Sequence, residues 1–156
     1  MSIYPIGQNF FESVTMTTLT PSVDLGTRRY EGGKEYIYVY NNGGASITSG
    51  YGVTVSLLSG YSVTVSSVTE VNCCYGVANV TFATAVYGWI QTKGYVKIKL
   101  SADNSMALND PMILGTDGTF GVNSVATGNL DIVCGVSIQA VASGGSGSIY
   151  LRGLYS

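Results

Sequence analysis

The stretch from Tyr87 to Leu100, YGWIQTKGYVKIKL, constrains the chain most: two runs with strand-like alternation flank Lys93-Gly94, and the only tryptophan lies in the first. The pattern predicts a β-hairpin turning at Lys93-Gly94, with Gln91 facing Val96, Trp89 facing Ile98 and Tyr87 facing Leu100, since directly opposed residues share a face. That face is expected to be buried. The other would carry Thr92 with Tyr95, Ile90 with Lys97 and Gly88 with Lys99, presenting two of the few lysines to solvent or to a partner.

The rest of the chain extends this β character. Leu25 to Asn41 predicts two strands around Glu31-Gly32-Gly33, with Tyr36, Tyr38 and Tyr40 on one face and Ile37 and Val39 on the other. A short echo follows, GYGVTVS at 50–56 and GYSVTVS at 60–66, which predicts a hairpin or meander burying Val53, Val55, Val63 and Val65. Val71 to Phe82 reads as a further strand in which Gly76 marks a bulge or a close approach. Gly115-Thr116-Asp117-Gly118 joins Asp110-Pro111-Met112-Ile113-Leu114 to Thr119-Phe120-Gly121-Val122 as a hairpin through its Asp-Gly turn. The last strands are expected in 130–141 and 148–154, either side of Ser143-Gly144-Gly145-Ser146-Gly147. No segment shows a sustained helical period. The expectation is an all-β fold of about ten or eleven strands, an antiparallel β-barrel or β-sandwich, with an extended N-terminal arm. Residues 1–23 form that arm, restricted by Pro5 and Pro21, and residues 24–156 form a single β domain with one core.

Charge narrows the function. Charged residues make up 10% of the 156, against roughly 25% in an average domain, and the net charge is −2. Such a surface packs broadly against other proteins without desolvating charges, which favours a component of an assembly. Seven scattered cationic residues make no nucleic-acid footprint. No apolar run reaches the roughly 18 residues of a membrane span, and the N-terminus has no cationic start with an apolar signal core, so synthesis in a cytoplasm is expected.

Catalytic constellations are sparse. The chain has no histidine, which removes Ser-His-Asp and Cys-His arrangements and the usual zinc sets. Cys73, Cys74 and Cys134 lack metal-ligand spacing and read as reduced, packed thiols. Asp103, Asp110 and Asp117 recur at a regular interval but lack the alternating oxygen ligands of a calcium loop. No phosphate-binding or dinucleotide-binding glycine loop occurs, so no cofactor or metal is expected. A hydrolase would need two carboxylates brought together by the fold, and nothing in their spacing predicts such a pair.

Residues 109–152 carry an ordered set of features: NDPMILGTDGTFGV, then TGN, then IVCGVSIQAVASGGSGSIYLRG, preceded by the GWIQTKGYVKIKL stretch. In this order they resemble the head decoration, or cement, proteins of tailed bacteriophages and related small virion structural proteins. The resemblance implies a non-enzymatic protein, often a homotrimer, that sits on the capsid surface and bridges subunits of the major capsid protein. Candidate capsid or subunit contacts are Tyr4, Phe10 and Phe11 in the arm and Tyr95, Lys97 and Lys99 on the outer hairpin face. The rival expectation is a carbohydrate- or host-surface-binding β module of a head fibre or tail appendage. In that case Tyr36, Tyr38 and Tyr40, with Tyr51 and Tyr61, would be stacking platforms for a glycan.

Overall fold

A computed structural model describes residues 13–55, 60–65, 74–115, 117–123 and 133–153. These contain eleven strands and no helix: β1 (Thr17–Thr18), β2 (Arg28–Glu31), β3 (Lys34–Asn41), β4 (Gly52–Val55), β5 (Ser62–Val65), β6 (Gly76–Ala78), β7 (Tyr87–Lys99), β8 (Pro111–Leu114), β9 (Phe120–Val122), β10 (Gly135–Ser137) and β11 (Ser146–Leu151). The chain is all-β, as expected.

Three predicted hairpins form. β2 and β3 pair with Glu31 opposite Lys34, and the intervening Gly32 and Gly33 both take positive φ, as a two-residue turn matched to strand twist requires. The echo becomes the β4–β5 pair, with Val53 opposite Val65 and Val55 opposite Val63. Asp117-Gly118 turns β8 into β9, Gly118 at φ 82°.

Tyr87–Leu100 does not form a hairpin. β7 is a continuous 13-residue strand, so Gln91 and Val96 are not cross-strand partners. Its first half pairs with β3, Tyr36 opposite Gln91 through Tyr40 opposite Tyr87; its second half pairs with β11, Gly94 opposite Leu151 through Lys99 opposite Ser146. Gly94 keeps the positive φ that suggested a turn, 92°, but spends it beside a register shift between Glu35 and Tyr36. Partners along both halves hold the strand in line. The burial expected of Trp89, Val96, Ile98 and Leu100 holds, while Ile90, expected outside, is fully buried because both faces of the first half are covered.

The pairings close two rings. In the first, β3–β5–β4–β6–β7 returns to β3; in the second, β7–β11–β10–β8–β9 returns to β7 through a bridge between Leu100 and Phe120. Each ring has five strands, and an odd ring cannot alternate direction all the way round. Each therefore contains one parallel contact, β3 with β5 and Leu100 with Phe120, where a wholly antiparallel barrel was expected.

The second ring repeats the first at an offset of fifty-nine residues, the interval from Gly76 to Gly135. Ile47 bridges Phe82 as Met106 bridges Val141. Val53 pairs with Gly76 as Met112 pairs with Gly135, and Ala78 with Ile90 as Ser137 with Ile149. Each residue of these two bridges is followed three positions later by a positive-φ residue, namely Gly50, Ala85, Asn109 and Gly144. Gly50 N–H donates to Ala78 at 2.8 Å and Asn109 N–H to Ser137 at 3.0 Å, in the same place on each ring.

Buried side chains gather accordingly. One cluster fills the first barrel (Ile37, Val39, Ile47, Val53, Phe82, Ile90) and another the second (Val96, Ile98, Leu100, Met112, Phe120, Ile149). A third, Tyr36, Tyr38 and Trp89, lies outside the first barrel, where Val14 and Val23 pack on it. Each barrel is filled by its own inward-facing alternation, so several clusters stand where one core was expected. Cys74 and Cys134 are buried in the second cluster, and a hydrogen bond with Cys74 holds the Cys134 thiol below its ordinary value against the opposing effect of burial. Cys73 lies outside the described residues.

Candidate interaction surface

The outer faces of the two barrels, built by the equivalent strand pairs β3–β7 and β7–β11, have different chemistry. In the second barrel, Lys99 lies opposite Ser146, Lys97 opposite Ser148 and Tyr95 opposite Tyr150, so all six side chains leave one face of the β7–β11 ribbon. The intervening Val96, Ile98, Ile149 and Leu151 point into the barrel and are buried, which fixes this face outward. Tyr95 is 56% exposed and Tyr150 37%, their rings meeting edge to face at 5.0 Å. Lys97 is exposed and makes no ion pair among the described residues. Lys99 is half-buried and donates from Nζ to the Gly144 carbonyl at 2.5 Å.

The fold thus joins Tyr95, Lys97 and Lys99 on one exposed face, and adds Tyr150, Ser146 and Ser148. These three were absent from the sequence reading, although the alternation in SGSIYL and the recurrence of Gly-Val at 76–77 and 135–136 carry the signal. Tyr4, Phe10 and Phe11 lie outside the described residues.

The tyrosine stripe sits on the equivalent face of the first barrel, and it is covered. Tyr36 is 5% exposed and Tyr38 0%, while Tyr40 is half-buried. Tyr38 packs edge-on to Trp89 at 5.1 Å, and Tyr40 meets Tyr87 at 4.7 Å. Residues 13–25 pass over this face, β1 pairing Thr17 with Gly88 and Thr18 with Tyr87. The Tyr38 hydroxyl accepts from the Ser22 N–H at 3.2 Å and shares a hydrogen bond with the Thr18 hydroxyl at 3.1 Å. Burial pushes the Tyr36 phenol above its ordinary value. A fully buried Tyr38 offers no ring face to a sugar, and Tyr36 almost none. Tyr61 is 41% exposed, but its ring packs against Gly26; Tyr51 is half-buried beside Gly118.

Four of the six described carboxylates serve structure. Glu35 pairs with Arg28 and Glu31 with Arg29. Asp110 accepts the Ala107 N–H at 2.7 Å, closing its turn, and Asp117 accepts from Thr119. Among the described residues no three His, Cys, Asp or Glu side chains converge as metal ligands. One open surface groove among the described residues is lined by Pro21, Val23, Leu25 and Tyr87.

No protein-family model matches the sequence, and neither does any curated protein. Among solved structures the fold is similar to the head fiber gp8.5 N base of bacteriophage phi29, with a TM-score of 0.56 at 11% sequence identity. The match covers 75% of this chain and 94% of that one.

Proposed function

We propose that this chain is a non-enzymatic structural protein of a bacteriophage virion, a decoration or cement protein on the capsid surface that binds between subunits of the major capsid protein and stabilises the head. The observation that carries the reading is the fold likeness to the base of a phage head fiber, taken with the outward Tyr95–Lys97–Lys99 face. Physical chemistry agrees. A pair of barrels with few charges suits contacts made by shape and backbone rather than by a pocket. A protein that binds only the assembled lattice stabilises it by mass action, each copy adding its share. We assign Tyr95, Lys97 and Lys99 as capsid or subunit contacts, with Tyr4, Phe10 and Phe11 of the arm, and a homotrimer as the bound form.

The test is light scattering on the purified chain, followed by sedimentation with expanded phage capsids. A trimer that sediments with capsids at saturable stoichiometry supports the proposal. A monomer that stays in the supernatant sinks it.

One observation favours a second reading: the similar structure is the base of a fiber. On this reading the two barrels anchor a head fibre or appendage that binds a carbohydrate or host surface. Retention on polysaccharide without sedimentation on capsids would select it.

A further inference from the structure

The two barrels turn equivalent strand pairs outward, β3–β7 and β7–β11, yet only the first is covered by the described chain. On the first barrel, residues 13–25 cross the β3–β7 face, and β1 adds a two-residue strand to the β7 edge at Tyr87 and Gly88. That edge is free at this point because pairing with β6 stops at Ile90. On the second barrel the equivalent pairing with β10 stops at Ile149, with one further bond from the Ile138 N–H to the Ser148 carbonyl. Among the described residues no strand adds to β11 at Ser146 and Gly147, the equivalents of Tyr87 and Gly88.

The residues on the second face specify what could cover it. The positions of Tyr38 and Tyr40 are held by Lys97 and Lys99, and those of Trp89 and Tyr87 by Ser148 and Ser146. Aromatic rings that received Val14 and Val23 are replaced by two ammonium groups at period two and two hydroxyls. Among the described residues of the β7–β11 ribbon no carboxylate projects from this face to neutralise them. Residues 13–25 of a second copy would be a poor occupant, since they bring valines where rings are missing and a single carboxylate, Asp24.

We propose that the β7–β11 face is the docking site for an extended, carboxylate-bearing segment of a partner protein, laid as a strand along the β11 edge at Ser146-Gly147. Alternate side chains of a strand share a face, so acidic residues two apart would lie beside Ser146 and Ser148, and long glutamate side chains would reach across these short serines to the Lys97 and Lys99 ammonium groups one strand further on, with Tyr95 and Tyr150 at the far end of the same face. The inference deepens the virion reading and rests on it for which protein owns the segment.

The test uses the full chain, isotope-labelled for NMR and titrated with an acetylated peptide of alternating threonine and glutamate. A threonine–lysine peptide serves as control. Saturable shifts confined to Lys97, Lys99, Ser146–Ser148 and Tyr150, weakened about tenfold by Lys97→Gln with Lys99→Gln and by added salt, support the proposal. No saturation, or equal shifts with the lysine peptide, overturns it. The same charge-neutralised variant is also sedimented with capsids. If wild type and variant bind capsids equally, the docking proposal fails and the virion reading stands. If the glutamate peptide binds while the wild type ignores capsids, docking is supported and the cement reading fails.

Discussion

Gly52 of the first barrel lies directly against Leu114 of the second: a Cβ built on Gly52 would stand 2.4 Å from Leu114 Cδ1 and 2.9 Å from the Phe120 ring. The Gly52 N–H also donates to the Gly118 carbonyl at 2.8 Å, so the backbones of the two barrels touch here with no side chain between them. Gly52→Ala should therefore destabilise by about 1–3 kcal/mol through overpacking. Gly44→Ala, where a Cβ meets open space, should change stability by about 0.5 kcal/mol or less. Urea denaturation of both variants checks the contrast.

Gln91 secures the joint within β7. Its side chain is fully buried; Nε2 donates to the Lys93 and Tyr95 carbonyls at 3.1 and 2.8 Å, and Oε1 accepts from Asn79 at 3.2 Å. These bonds span Gly94, where the strand passes from one barrel to the next. Gln91→Leu would remove the side-chain partner of two carbonyls and of the Asn79 amide, at a cost of about 1–3 kcal/mol. Amide hydrogen exchange should rise first at 92–95. A rise spread evenly over both barrels would count against this role.

Ala85 occupies a position whose counterparts after the other bridges are Gly50, Asn109 and Gly144, all at positive φ. At φ 60° its Cβ is strained in a way that glycine's absence of one avoids. Ala85→Gly is expected to raise stability by up to about 1 kcal/mol, because strain relief outweighs the extra unfolded-state entropy. The denaturation midpoint should move up with an unchanged slope.

Asp117 accepts from the Thr119 hydroxyl at 2.5 Å and from its N–H at 3.0 Å, and the hydroxyl bond holds its carboxyl below the usual carboxylate value. A depressed folded pKa means that this stabilisation is present in full above the ordinary aspartate value of 3.8 and is lost as pH falls through the lower folded value. The residue is exposed, so the gain at neutral pH is under about 1 kcal/mol. Asp117→Asn should be slightly less stable than wild type at pH 7, and the difference should vanish in acid. Parallel thermal melts across the pH range measure it.

Gly32-Gly33 and Asp117-Gly118 became turns because the residues on either side pair with each other, which local chemistry alone can specify. Lys93-Gly94 carries much the same local signal. It failed to turn because β3 and β11 pair with the two halves of β7 separately, and those partners lie far away in sequence. The interaction face was half legible. Tyr95, Lys97 and Lys99 stand out by alternation, but Tyr150, Ser146 and Ser148 join them only through the β7–β11 register. The tyrosine stripe was legible as a stripe and not as a covered one, since residues 13–25 fold over it from outside its own hairpin.

The internal duplication shows the same division. Few residues persist across the offset, among them Gly76 with Gly135, Gly88 with Gly147 and Gly94 with Gly153. The first two pairs are positions where a Cβ would strike a neighbour: the Gln91 and Tyr150 carbonyls for Gly76 and Gly135, the Phe82 ring and Met106 methyl for Gly88 and Gly147. Elsewhere the apolar positions keep their place and change their residue, Ile47 to Met106 and Phe82 to Val141, because a barrel interior needs filled volume rather than identity. By itself the sequence determined the β class, the local turns and the inward alternation, which depend on neighbours within a few residues. Only the tertiary structure decided that one strand serves two barrels, that each ring closes through a parallel contact, and which face stays open, because those depend on pairings between residues distant in the chain.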